Sequence, residues 1–224
     1  MQDQTEQIEW RGGDVPVSTR FDDPYFSLDD GVAETGHVFL RGNDLPARFT
    51  AGFHIAELGF GTGLNMLVAW DAWMRAGHKG PLRFTSFEAF PLTQSDMARA
   101  HRAFPSFGGR RDMLCESWTP TGGQFALPGL DAEIIIGDAR DMLPLWGAKA
   151  DAWFLDGFAP ARNPEMWSPA LMAGVAAHTQ PNGTAATYTA AGEVRRGLAA
   201  AGFTVQRVPG YGRKRHMTQA VLAA

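Results

Sequence analysis

Three acidic residues stand where apolar, strand-like runs give way to turns, and each has a chemistry open to it. Asp156 ends the fully apolar run 152–155 and precedes Gly157. A carboxylate so placed accepts a hydrogen bond from an amine or takes its proton, and as a bland alternative it caps the turn. Phe158 and Pro160, just beyond it, can wall a flat substrate. Glu88 closes the run 82–88, 25 residues beyond Gly63, and its two oxygens can accept from both hydroxyls of a ribose. Glu57 sits immediately before the turn Gly59-Phe60-Gly61-Thr62-Gly63. Glycines at alternate positions let that backbone bend sharply and leave no Cβ between it and a bound ligand. The last glycine comes one residue too early for the dinucleotide fingerprint G-x-G-x-x-G. Asp138, in Gly137-Asp138-Ala139, could meet an adenine amino group, and serves equally well as a helix N-cap.

Other chemistries find little support. The six histidines are scattered with no H-x-x-x-H pair, which argues against a metal site. Neither a G-x-S-x-G elbow nor a Walker loop occurs. The single cysteine, Cys115, excludes an internal disulfide and has no evident base beside it, so it reads as a small buried hydrophobe.

These residues need a scaffold, and the chain supplies an alternating one. Strands are expected at about 53–57, 82–88, 132–136, 152–155, 184–188, 203–208 and 217–222. Helices are expected at 64–76, 93–104, from 139 to about 146, 165–180 and 193–201. Strand-helix alternation predicts a parallel sheet covered on both faces. The last two strands are joined by a loop too short for a crossover and must pair antiparallel. The expected class is therefore α/β, a Rossmann-like, mostly parallel sheet with a C-terminal antiparallel hairpin. Residues 51–224 form this domain, and 1–50, rich in turns and aromatics, form a lid or substrate wall lying on it. The segment 105–130 is the least legible, with one strand suggested at 124–127.

The 224 residues carry a net charge of −4, unevenly spread. From Val194 to Ala224 there are six basic residues and no acidic one, leaving 14 basic against 24 acidic elsewhere. Such asymmetry points to an anionic partner or to a solvated basic face. No run approaches the roughly 18 apolar residues that cross a bilayer, and the polar N-terminus is unlike a signal peptide. The expected compartment is the cytoplasm.

The pattern E-x-G-x-G-x-G from Glu57 resembles the cofactor loop of class I S-adenosylmethionine-dependent methyltransferases. More specifically, Leu58–Asn65, Ser86–Thr93, Asp151–Pro164, Val194–Leu198 and Gly210–Arg215 resemble the tRNA 5-methylaminomethyl-2-thiouridine methyltransferases. So do Asp22-Asp23 and Tyr25-Phe26-Ser27, with Pro24 where an aliphatic residue is expected. The resemblance implies methyl transfer from S-adenosylmethionine to the exocyclic amine of 5-aminomethyl-2-thiouridine at the tRNA wobble position. It implies cofactor contacts from Glu57, Gly59, Gly61, Gly63, Asn65, Glu88 and Asp138, and Asp156 as the catalytic group, either proton acceptor or orienter. It places Asp22, Asp23, Tyr25, Phe26, Phe158 and Pro160 around the base, and Arg195, Arg213, Lys214 and Arg215 on tRNA phosphates. No flavin fingerprint is present, so no oxidase activity is expected of this chain, which reads either as a stand-alone methyltransferase whose aminomethyl precursor a separate enzyme supplies or as an excised domain. The alternatives are a methyltransferase acting on a small-molecule or protein amine, and a nucleotide-binding module without activity.

Overall fold

The computed structural model describes residues 7–27 and 30–223. The polar stretch 1–6 noted above lies outside them. The chain begins with three short antiparallel strands, β1 (Ile8–Arg11), β2 (Val15–Ser18) and β3 (Asp23–Pro24). Gly12-Gly13-Asp14 makes the first turn, as a glycine pair between alternating strands should. A short helix α1 (Gly31–Thr35), capped by the Asp30 carboxylate on the Ala33 amide, runs on through wider and tighter helical turns to Asn43.

From residue 54 strands and helices alternate: β4 (His54–Leu58), α2 (Leu64–Ala76), β5 (Leu82–Glu88), α3 (Gln94–Ala100), α4 (Gly109–Ser117), β6 (Gly123–Leu127), β7 (Leu130–Ile136), α5 (Ala139–Met142), β8 (Ala150–Leu155), α6 (Pro169–Ala177), β9 (Thr179–Thr187), α7 (Gly192–Ala200), β10 (Phe203–Pro209) and β11 (His216–Leu222). Eight strands form one sheet in the order β10-β11-β9-β8-β4-β5-β7-β6. Pairs among β9, β8, β4, β5 and β7 are parallel, while β11 and β6 pair antiparallel with their neighbours. The carboxyl ends of the five parallel strands therefore converge at one edge of the sheet.

Side-chain alternation along β8 shows how the sheet is held. Ala152 and Phe154 enter one core with Trp70, Trp73 and Phe84, and Trp153 and Leu155 enter the other with Phe87, Trp146, Leu171 and Met172. Both faces are covered, so the strand is apolar throughout. Cutting Phe154 back to Ala would cost about 3–5 kcal/mol. Arg48 fastens the N-terminal segment to this sheet. Its guanidinium donates to the carbonyls of Asn43, Asp151 and Asn182 and to Thr184 Oγ1.

Two local expectations, the helix at 165–180 and the strand start at 184, are corrected, and the segment 105–130 is filled in around the expected strand at 124–127. Residues 165–180 are not one helix: Pro164–Trp167 forms a tight turn, and Ser168 then caps α6, its Oγ accepting from the Leu171 amide. Pro181-Asn182-Gly183 lies inside β9, where Asn182 adopts a φ of 61° and the register shifts between Ala150 and Ala152. A bulge absorbs residues that would otherwise end an element. The segment 105–130 contains the helix α4 as well as the antiparallel edge strand β6.

Candidate active site

One cavity of about 1260 Å³ opens at the converging strand ends, roofed by β3 and α1. Its floor is built from the turns after β4, β5, β7 and β8, where ligands of open α/β sheets bind. Pockets for a single small ligand are usually about 300–1,000 Å³. This one has room for a nucleoside cofactor and a second flat molecule.

Asp156 lies on the floor, and its Oδ2 accepts a 2.7 Å hydrogen bond from Asn65 Nδ2. The same amide donates to Glu57 Oε1 at 2.8 Å, and Thr35 Oγ1 donates to Asn65 Oδ1 at 3.1 Å. Ser86 Oγ donates to Glu57 Oε2 at 2.6 Å, directly across the register in which β4 pairs with β5. Burial raises Asp156 from an ordinary 3.8 to about 6, against the lowering effects of the Asn65 bond and the Lys214 charge. Glu57, fully buried, is raised well above the usual carboxylate range for the same reason. Asp156 is thus ionised at neutral pH yet basic enough to take a proton.

The glycine turn is shaped largely by the protein itself. Gly59 has φ +87°, and a Cβ there would meet the Asp156 carbonyl oxygen at 2.4 Å. At Gly61, φ is +54° and the obstruction would be the Tyr25 ring, at 2.9 Å. Gly59 and Gly61 line the cavity, whereas Gly63 leads into α2 and packs beneath Phe60 and Leu114. Glu88 clamps the turn: Oε2 accepts from the Gly61 amide at 2.8 Å and Oε1 from the Phe90 amide at 2.7 Å. Glu88 also lines the cavity. Asp138 caps α5, accepting from the Arg140 amide at 2.9 Å, and lines the cavity while paired to Arg140, which lowers its pKa.

The N-terminal strap closes one side. Asp23 Oδ2 accepts from the Ala159 amide at 2.9 Å. Phe21 stacks on Phe158 at 4.7 Å, Tyr25 meets Phe158 edge-on at 5.2 Å, and Phe26 packs on Phe104 at 4.9 Å. All of these except Phe104 line the cavity.

Several expected site residues fall elsewhere. Glu57 lies beneath the floor and holds Asn65 instead of facing the cavity, because the strand register turns it toward Ser86. Asp22, beside Asp23, points outward to Arg162 at 2.7 Å and Arg11 at 3.5 Å, because it lies in the turn before β3 with a φ of 46°. Pro160 is not part of the cavity wall. Arg195 donates to the Ala190 carbonyl, five residues back, at 3.3 Å. Arg213 reaches the cavity rim and Arg215 stays exposed outside it. Lys214 turns inward, its Nζ 2.8 Å from Glu34 Oε1 and 4.1 Å from the centroid of the Tyr188 ring.

Ser86, Thr35, Glu34 and Tyr188 were not singled out from the sequence. Only Ser86 carried a usable signal, two residues before Glu88 on the same face of one strand. Cys115 does have a base beside it: His101 Nδ1 is 3.0 Å from Sγ, while His101 Nε2 meets the Thr62 carbonyl at 2.7 Å. Burial raises the thiol to about 11, so it stays protonated. Among the described residues no cluster of three metal-ligating side chains forms, and no helix is long and apolar enough to cross a membrane.

The cavity fits a nucleoside cofactor. Glycine backbone lies along one wall, the Glu88 carboxylate stands at the end of β5, and Asp138 stands at the end of the neighbouring strand. Comparison with known proteins agrees. The model of a family described as S-adenosyl-L-methionine-dependent methyltransferase matches residues 121–223. The chain is 45% identical over 97% of its length to the tRNA 5-methylaminomethyl-2-thiouridine biosynthesis bifunctional protein MnmC of Chromohalobacter salexigens, covering 33% of that protein. The protein of the same name from Chromobacterium violaceum is 46% identical over 97% of the chain, with 34% covered. The chain thus spans about a third of the length of the curated relatives it matches. The crystal structure of MNMC2 from Aquifex aeolicus superposes with a TM-score of 0.81 at 24% identity, covering 100% of this chain and 72% of that one, and shares the fold. With this fold and these matches, the chain belongs to the S-adenosyl-L-methionine-dependent methyltransferase family represented in these bifunctional proteins.

Proposed function

We propose that this chain methylates the exocyclic amine of 5-aminomethyl-2-thiouridine at the wobble position of tRNA, giving 5-methylaminomethyl-2-thiouridine. The observation that carries this reading is the Asp156 carboxyl, raised to about 6 and fixed by Asn65 on the floor of a cavity with room for two ligands. The names of the relatives support tRNA as the substrate.

Bound S-adenosylmethionine supplies an electrophilic methyl group on a cationic sulfur. The Gly59–Gly61 backbone, Glu88 and Asp138 hold its nucleoside part. Phe158, Tyr25 and Phe21 form an aromatic wall on which an unstacked base can rest. Asp156 orients the amine through one carboxylate oxygen and accepts the proton it must lose, while Asn65 fixes the rotamer of that carboxylate. Arg213 and Arg215, exposed beside the rim, contact tRNA phosphates and set position without reading sequence. The aminomethyl precursor comes from a separate reaction, and a tRNA substrate places the work in the cytoplasm.

The test is incubation with labelled S-adenosylmethionine and bulk tRNA from a strain lacking this methylation, followed by nucleoside analysis. New 5-methylaminomethyl-2-thiouridine is expected. Label on protein or small amines, with none on tRNA, would replace the substrate in this reading.

A further inference from the structure

Lys214 is on the loop between β10 and β11, about half of its side chain accessible, yet its ammonium is fixed. Glu34 on α1, only 15% exposed, takes Nζ at 2.8 Å, and the face of the Tyr188 ring lies 4.1 Å away. Tyr188 commits its hydroxyl elsewhere, donating to the Gly157 carbonyl at 2.7 Å, so the ring face is what it offers the cation. Lys214, Glu34, Tyr188 and Asp156 all line the same cavity, and Asp156 feels the lysine charge. Asp23 faces the group from β3, and Arg213 and Tyr211 from the same loop. His37 stands beside Tyr211, with 5.7 Å between ring centroids. A lysine meant for a phosphate has no need of a carboxylate clamp beneath an aromatic face.

An alkyl amine is mostly protonated at neutral pH, and only its neutral form has a lone pair for the methyl group. Three carboxylates around the site, Asp156, Glu34 and Asp23, would by themselves hold the amine as its cation. We propose that Lys214 is an electrostatic positioning residue: clamped by Glu34 over the Tyr188 ring, its fixed positive charge keeps the substrate amine neutral beside Asp156. The same charge favours the ionised form of Asp156, so both groups stay in their working states at lower pH. This inference rests on the reading that the substrate is an alkyl amine, not on which tRNA carries it.

The test compares wild type, Lys214→Met and Lys214→Arg in two measurements. In the first, kcat/KM is followed against pH with undermodified tRNA. Lys214→Met should move the rising limb upward by about one pH unit, losing about tenfold at pH 5, about twofold at pH 7 and little at high pH, while Lys214→Arg keeps the limb. In the second, carboxyl carbon NMR follows Asp156 without tRNA, and its midpoint should rise in Lys214→Met alone. A uniform loss at every pH, or a loss seen only as a flatter salt dependence, would overturn the inference in favour of a phosphate contact; so would an unmoved Asp156 midpoint. Should wild type methylate no tRNA, the substrate reading fails, and the NMR midpoint still decides whether Lys214 tunes this site.

Discussion

Asn65 donates to Asp156 across 2.7 Å, joining the first turn of α2 to the end of β8. Its second amide hydrogen goes to Glu57, and Thr35 occupies its oxygen, which fixes the direction of the amide. One side chain therefore links the strand end carrying the reactive carboxyl, the strand beneath the glycine turn, and the N-terminal helix.

Removing that link should disturb stability and chemistry together. Asn65→Leu keeps the bulk but leaves the buried Glu57 carboxyl, the half-buried Asp156 carboxyl and the Thr35 hydroxyl short of a partner, a loss of about 1–3 kcal/mol. Thermal unfolding should report it. Loss of the Asn65 bond also lets Asp156 rise further, so kcat/KM at pH 6.5–7 should fall more than at high pH.

The raised pKa of Asp156 has two pH consequences. Activity should rise through pH of about 6 as the carboxyl ionises. For stability the sign is opposite: the folded state disfavours the ionised form, so this contribution is fully present below 3.8 and lost as pH rises through about 6. Asp156→Asn removes the penalty and should stabilise the protein by about 1–2 kcal/mol at pH 8, discounted for partial solvent access, with no gain near pH 3.5. Denaturant melts at the two pH values check this.

The two cavity-lining glycines of the turn after β4, Gly59 and Gly61, should differ under substitution. Gly59→Ala drives a methyl into the Asp156 backbone carbonyl, which has no freedom to yield, and should impair folding itself. Gly61→Ala meets the edge of the Tyr25 side chain, which can rotate at some cost. The expected result is a folded protein with weaker donor affinity, measurable by calorimetry.

Much of this arrangement was legible because it is local. The turn after β4, the α2 boundaries and the acidic ends of β5 and β8 follow from short-range rules: glycine at positive φ, helix caps, an apolar run ending in a carboxylate. Asp22 and Asp23 show the limit, since neighbours of identical type face opposite ways and only the positive-φ turn at Asp22, just before β3, tells which. Lys214 shows it more sharply. Read within Arg213-Lys214-Arg215 it is part of a basic run, and only the packing of α1 against this loop supplies Glu34. Helix α4 escaped notice because among its nine residues Leu114 alone is fully buried, so its apolar periodicity is faint.

The basic loop makes a separate prediction. Replacing Arg213 and Arg215 with Ala should weaken tRNA binding and lower the slope of log affinity against log salt by about 0.7–0.9 per lost phosphate contact. Donor affinity should not change. Lys214→Met should leave that slope nearly intact, since its ammonium is engaged inside the cavity.

The most direct measurement is single-turnover methyl transfer to an anticodon stem-loop carrying 5-aminomethyl-2-thiouridine, at saturating S-adenosylmethionine, with wild type and Asp156→Asn. Wild type should convert it to the 5-methylaminomethyl nucleoside. The variant should bind both partners normally and react about 10²–10⁴-fold more slowly. Equal rates in the two proteins, or no methylated nucleoside from wild type, would contradict the account.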